Sequence, residues 1–231
     1  MIRLHEFNTR WWGQPVGIID DSSFFTMPPE AREQALAPFR WVEFKSRLKN
    51  APPLRDLQRA NFFLADTQEE FRIALKSGPL TPCARPLQVR FADEERFDLG
   101  NSDFAAFEHE RYQQLPGYTV DLINARYGEW ARSLIREHPE TCLQVLADGA
   151  IQGWFLSQPT SNGLNLTLAM LRRDAKISGF LLYERGLVAY AERGYRIGWA
   201  SFSVTNTAVH NIYVKLGAHF VSPTGIWFWV P

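Results

Sequence analysis

The sequence predicts an α+β fold, a mixed central sheet flanked by helices, with a smaller α/β part at the N-terminal side. Three observations predict it. Apolar residues alternate over residues 87–91 and 199–204, the two-residue period of half-buried strands, and 141–147, 151–157 and 164–170 also read as strands. They recur at helical spacing over 120–136 and 178–193. Pro79, Pro82 and Pro86 crowd one short stretch and oppose helix and sheet interior alike. A linker over 79–86 is therefore expected between an N-terminal part, 1–78, and a second part, 87–231.

In the N-terminal part a strand is expected at 16–20, a helix at 29–39, a strand at 41–46 and a helix at 53–60. Apolar alternation at Phe62, Leu64 and 71–75 adds one or two strands. Trp11 and Trp12 need burial, and the second part's sheet is the expected surface. The part is expected to serve as scaffold and as wall of an acceptor pocket.

The second part opens with the strand at 87–91. Helices are expected at 103–112 and at 120–136, where Leu122, Ile123, Tyr127, Trp130, Ala131, Leu134 and Ile135 fall at helical spacing. Asp148-Gly149 is the turn of a hairpin between strands 141–147 and 151–157. Asn162-Gly163 starts the next strand, 164–170. A basic loop, Arg172 to Gly179, leads into a helix over 178–193 that Gly194 stops. Gly186 inside this helix costs about 1 kcal/mol relative to Ala, which close packing on the sheet would explain. A strand at 199–204 and a short helix over 206–216, ended by Gly217, follow. The chain then reads as a hairpin, 219–221 with 226–230, around Ser222-Pro223-Thr224-Gly225.

Composition narrows the function. The 231 residues are 45% hydrophobic, enough for a sizeable core. Lys plus Arg number 25 and Asp plus Glu 25, so the overall basic excess of a general nucleic-acid binder is missing and no nucleic-acid partner is expected. Cys83 and Cys142 have no metal-ligand spacing, so neither a metal nor a disulfide framework is expected. No apolar run reaches the roughly 18 residues of a membrane span, and the start of the chain does not read as a signal peptide. A cytoplasmic protein with reduced thiols is expected; a homodimer is compatible with the composition.

Two stretches carry chemistry. A strand that runs through Arg172, Arg173 and Lys176 into a helix N-terminus is either a solvated basic turn or an anion site. The first helical N–H groups have no internal partner, and the helix dipole adds positive potential there. The second stretch is Asn206-Thr207-Ala208-Val209-His210-Asn211-Ile212-Tyr213-Val214-Lys215-Leu216-Gly217-Ala218. Asn206 can cap the helix, Ala208 permits close packing, and Tyr213 projects from its far end, as a core tyrosine or as a functional one. His210, three positions earlier, shares its face.

This second stretch resembles the closing motif of the GNAT acyltransferases, with its Asn at a strand end, Ala two residues on, Tyr, then Leu-Gly. The resemblance implies acetyl-CoA as cosubstrate and no metal. Acetyl-CoA would lie where the strand ending at Met170 and the strand 199–204 splay, its pantetheine amides against Leu168, Ala169 and Met170. The pyrophosphate would sit on the N–H groups of Ala175, Lys176, Ile177, Ser178, Gly179 and Phe180, with Arg173 beside it and Asn206 across the splay. A neutral amine would attack the thioester directly, with Tyr213 as general acid to the departing thiolate. The family's loop reads Arg/Gln-x-x-Gly-x-Gly/Ala; here Ile177 replaces the first of those glycines and Gly179 keeps the second. Ile is compatible with binding where position 177 is helical.

Within the family the chain is similar to the acetyltransferases of dTDP-linked amino sugars. Trp11-Trp12-Gly13, Ala37-Pro38-Phe39, residues 62–75 and Ser222-Pro223-Thr224 carry that similarity, which is dilute but spread over nearly the whole chain. It implies a small-molecule amine acceptor, an amino-sugar nucleotide. A protein amine or an aminoglycoside on the same scaffold is the alternative, and a CoA-binding homologue without chemistry is a third reading that Ile177 favours. The resemblance puts Glu108, His109 and Glu110 toward the acceptor without identifying a base. No Gly-x-Ser-x-Gly elbow occurs, and neither cysteine has an activating partner.

Overall fold

The computed structural model describes residues Met1–Pro231 and divides into two compact units. One comprises Met1–Glu69, Glu110–Tyr118 and Ser222–Pro231; the other Glu70–His109 and Thr119–Val221. This differs from the linear division expected at 79–86. That run carries no helix or strand, but the chain also passes between units inside two continuous strands, β4 (Phe63–Ala74) and β10 (His219–Trp229).

In the first unit, β1 (Ile2–Leu4) pairs antiparallel with β2 (Val16–Ile19), β2 runs parallel to β3 (Trp41–Arg47), and β3 pairs antiparallel with β10 from Val42↔Trp229 to Arg47↔Thr224. Helices α1 (Glu6–Trp12), α2 (Pro29–Leu36) and α3 (Leu54–Arg59) complete it. β1 and α1 escaped the sequence reading. Phe24, Phe25, Phe44, Phe62 and Trp227 form its apolar core. Trp12 packs edge-on to Trp41 at 5.5 Å and against Tyr112 at 5.2 Å. Its burial is thus met within this unit, where the second part's sheet was expected.

The expected C-terminal hairpin is absent: β10 runs straight through Ser222-Pro223-Thr224-Gly225. Pairing with β3 begins only at Thr224. Pro223, which has no N–H to give, therefore stands just outside that ladder, where a proline is tolerated in a strand.

The second unit orders its strands β4-β9-β8-β7-β6-β5: β5 (Leu87–Phe91), β6 (Cys142–Ala147), β7 (Ala150–Thr160), β8 (Gly163–Leu171) and β9 (Ile197–Ser203). β5 to β8 are mutually antiparallel, and β8 and β9 are parallel. Asp148 and Gly149 take φ of 49° and 77°, as a primed hairpin turn requires. Helix α4 (Val120–Glu137) covers one face through Ala131 and Leu134 against Trp154 and Leu156. Helices α5 (Gly179–Glu192) and α6 (Thr207–Lys215) cover the other, with Leu182, Leu187, Tyr190 and Tyr213 around Phe155.

The helix expected at 103–112 does not form; only a 3-10 turn at Arg111–Gln114 appears. Phe104 is fully buried and bridges Arg172 in β fashion, and the Asp103 carbonyl accepts the Arg173 N–H at 2.8 Å. These anchors hold the segment extended against its local helix propensity.

Gly186 does the close packing its position suggested. A Cβ there would stand 2.4 Å from Cδ1 of Phe155, a ring with no freedom to retreat in a filled core. Gly186→Ala gains about 1 kcal/mol of helix propensity and costs about 1–3 kcal/mol of overpacking. Urea denaturation is expected to show net destabilisation; a midpoint at or above wild type contradicts this packing.

Candidate active site

The site begins with an irregularity in β8. Leu156 of β7 faces Leu168, but Gln158 faces Asn165, so β8 holds one residue more than β7 across the same interval, at Leu166–Thr167. An extra residue bends a strand and increases its twist. The side chains record the change. Leu164 and Leu166 join the core under α5, whereas Leu168 and Met170 join the core under α4. Pairing with β9 stops at the same place, since Leu164↔Gly198 and Asn165↔Trp199 are its only paired positions. Beyond them the parallel strands part, leaving Leu168, Ala169 and Met170 paired with β7 on one side only.

The loop after β8 delivers the chain to the N-terminus of α5. Ser178 is its N-cap and accepts the Leu181 N–H. Two of the expected anion donors are engaged within the protein. The Ala175 N–H donates to the Arg172 carbonyl, and the Lys176 N–H to Gln152 Oε1 at 2.7 Å. The amides of Ile177, Ser178, Gly179 and Phe180 have no acceptor in the protein. They form a donor set that fits a diphosphate. Arg172 Nε is paired with Asp174 at 2.7 Å and Arg173 reaches the Phe104 carbonyl; Lys176 is exposed.

Ile177 is not helical, as a bound loop was expected to require; it precedes the cap. Its φ is not positive, so its backbone does not need glycine. Its side chain is half-buried against the core of α5 and α6. At Gly179 a Cβ would stand 3.3 Å from Ile212 Cδ1 of α6, a tight contact that a small shift of the Ile212 methyl would relieve.

Asn206 caps α6, Oδ1 accepting the Val209 N–H at 3.1 Å. Tyr213 is buried. Its ring lies 4.1 Å from Phe71, 5.1 Å from Tyr183 and 6.0 Å from Phe202. Its hydroxyl has no hydrogen-bond partner in the protein. Burial pushes the hydroxyl's pKa well above the ordinary tyrosine value, with Tyr183 and Tyr190 adding to the shift. The group therefore stays protonated through the neutral range, as a proton donor must.

The part played by Gln152 was not legible in the sequence. Gln152 is buried and braces the loop twice, its carbonyl accepting the Arg172 N–H and its side chain the Lys176 N–H. His109 Nδ1 lies 3.1 Å from Thr205 Oγ1, which lies 2.8 Å from Ser203 Oγ. Glu110 belongs to the first unit, where it accepts the Tyr112 N–H, and Glu108 is exposed. His210 stacks on Phe220 at 4.8 Å. Cys142 is no nucleophile, because burial pushes its thiol up to about 12.

No family model and no curated protein matches the chain. Solved structures do. The chain is similar to a GCN5-related N-acetyltransferase from Kribbella flavida, with a TM-score of 0.56 at 10% identity over 93% of this chain and 80% of that one. It is similar to a GCN5-related N-acetyltransferase from Sphaerobacter thermophilus at a TM-score of 0.54 and 19% identity, covering 82% of this chain. A tandem GNAT protein from the clavulanic acid biosynthesis pathway gives 0.53 and 12% over 94% of this chain and 76% of that one. The chain spans 59% of the length of the Sphaerobacter protein. The fold is that of the GCN5-related N-acetyltransferases, a mixed sheet flanked by helices. No helix is long and apolar enough to cross a membrane.

Ile177→Gly is expected to cost about 1–2 kcal/mol of stability, from lost half-burial of the side chain and added chain entropy. Chemical denaturation measures it, and unchanged stability contradicts the packing role. Thiol titration of the native protein is expected to count Cys83 and miss Cys142 until denaturant is added; rapid native labelling of Cys142 contradicts its burial.

Proposed function

We propose that the chain is an acetyl-CoA-dependent N-acetyltransferase acting on a small amine. The observation that carries the reading is the parting of β8 and β9 directly after Asn165↔Trp199, with the free amides of 177–180 at its rim. An extended amide-bearing chain fits an exposed strand edge, as an added strand would, and a diphosphate fits a helix N-terminus. Leu168, Ala169 and Met170 take the first role. The amides from Ile177 to Phe180 take the second, with Lys176 and Arg173 adding charge.

Acetyl-CoA supplies an activated acyl group, so the chain's residues need only position the amine and accommodate the leaving sulfur. Tyr213 donates its hydroxyl hydrogen to that sulfur as negative charge develops. A phenol held above its ordinary pKa of about 10 is a weak acid toward a thiolate whose conjugate acid has a pKa of about 8.5. The same apolar surroundings disfavour the thiolate as well, which narrows the gap. The hydrogen bond strengthens with the developing charge, so its effect falls on the transition state.

For the acceptor we infer a nucleotide-linked amino sugar, dTDP-4-amino-4,6-dideoxygalactose. Support comes from the sequence likeness at Trp11-Trp12-Gly13, Ala37-Pro38-Phe39 and Ser222-Pro223-Thr224.

Calorimetry with acetyl-CoA is expected to show binding of one molecule per chain, and Tyr213→Phe is expected to leave that binding intact. The variant's kcat should fall about 10²- to 10⁴-fold with little change in KM for acetyl-CoA. No binding at millimolar acetyl-CoA sinks the reading; wild-type turnover in the variant makes Tyr213 a packing residue. Because its pKa is raised, Tyr213 stays protonated past its ordinary value. The rate should therefore hold up to about pH 9.5, below the ordinary tyrosine pKa, and a fall between about pH 8 and 9 contradicts its role.

A further inference from the structure

We propose that His109 is the base that receives the amine's proton, oriented by Thr205 and Ser203. This rests on the acetyltransferase reading and adds the group that reading lacks. The observation is a hydrogen-bonded chain at the C-terminal end of β9, His109 Nδ1 to Thr205 Oγ1 at 3.1 Å and Thr205 Oγ1 to Ser203 Oγ at 2.8 Å. The strand has already left β8 there, and α6 begins two residues past Thr205.

The face is the right one. Phe202 and Ser203 are consecutive in β9, so their side chains point to opposite sides of the sheet. Phe202 stacks on Tyr213 at 6.0 Å, on the side of α5 and α6. The Ser203–Thr205–His109 chain belongs to the other side. Tyr213 and the Ser203–Thr205–His109 chain thus lie on opposite sides of β9, so different groups serve the two proton transfers.

The proposed tautomer carries its hydrogen on Nδ1. Ser203 Oγ accepts the Thr205 backbone N–H at 3.3 Å. In the proposed arrangement Thr205 Oγ1–H is directed to Ser203 Oγ, and Oγ1 accepts from His109 Nδ1–H. The Nε2 lone pair is then the free one. His109 is exposed and comes from an extended segment pinned by Phe104, so a ring anchored through Nδ1 presents Nε2 outward.

The step balances. The amine nitrogen bonds to the thioester carbonyl carbon, and the carbon–sulfur bond breaks with its electron pair on sulfur. His109 Nε2 takes the proton lost from nitrogen, Tyr213 Oη gives one to sulfur, and solvent returns both residues to their starting forms. Thr205 and Ser203 are positioning residues, since they act through the ring.

The test follows thiol release from acetyl-CoA, with dTDP-4-amino-4,6-dideoxygalactose as acceptor and, separately, with water alone. His109→Ala is expected to lower kcat about 10²-fold or more, to leave calorimetric acetyl-CoA binding unchanged, and to regain turnover in proportion to added imidazole. Thr205→Val, which keeps the ring and loses its anchor, should lower kcat less and gain nothing from imidazole. Wild-type turnover in His109→Ala, or a loss that imidazole leaves untouched, overturns the assignment. A wild-type protein that binds no acetyl-CoA instead sinks the acetyltransferase reading itself, so the two failures are distinct.

Discussion

One extra residue in β8, at Leu166–Thr167, sets the terms for everything around the candidate site. Two parallel strands that stayed paired to their ends would satisfy each other's backbone and leave nothing for a ligand. The bulge turns β8 away from β9 after a short register and moves its side chains from one core to the other. Backbone groups at 168–170 are thereby kept off the ladder on one edge, a cost a folded chain bears where a partner can complete the pairing.

The flanking structure is built to hold that opening in place. Gln152, buried on the adjacent strand, ties down both Arg172 and Lys176. The loop thus reaches α5 with its last amides unspent. Ile177 anchors the same loop to the core by packing, where glycine would anchor nothing. On the α5–α6 side, Phe71, Tyr183 and Phe202 enclose the Tyr213 ring. A hydroxyl in such surroundings without a protein partner is poised for a polar atom brought by a ligand.

Much of this was legible in the sequence, for local physical reasons. Ser178 before α5, Gly194 after it, Asn206 before α6 and Asp148-Gly149 each act through their own backbone neighbourhood, so their signals survive without tertiary context. The bulge was not legible. Leu164, Leu166, Leu168 and Met170 alternate without a break, as an undisturbed strand would, and only pairing with β7 exposes the added residue. Residues 103–112 misled in the opposite way, because Phe104 and the bond to Arg173 override a fair helix propensity. The Pro223 stretch reads as a turn locally and is a strand because β3 and β4 lie beside β10. Resemblance alone put His109 toward the acceptor, and only the fold joins it to the distant Thr205 and Ser203 in one chain of hydrogen bonds.

Backbone amide hydrogen exchange with and without saturating acetyl-CoA tests the opening most directly. The account predicts slowed exchange concentrated in residues 166–170 and in the amides of 177–180, with the hairpin of β6 and β7 around Asp148-Gly149 unchanged. Uniform slowing across the chain, or protection that spares both stretches, would contradict the claim that the parted strands and the α5 N-terminus are where the cosubstrate is held.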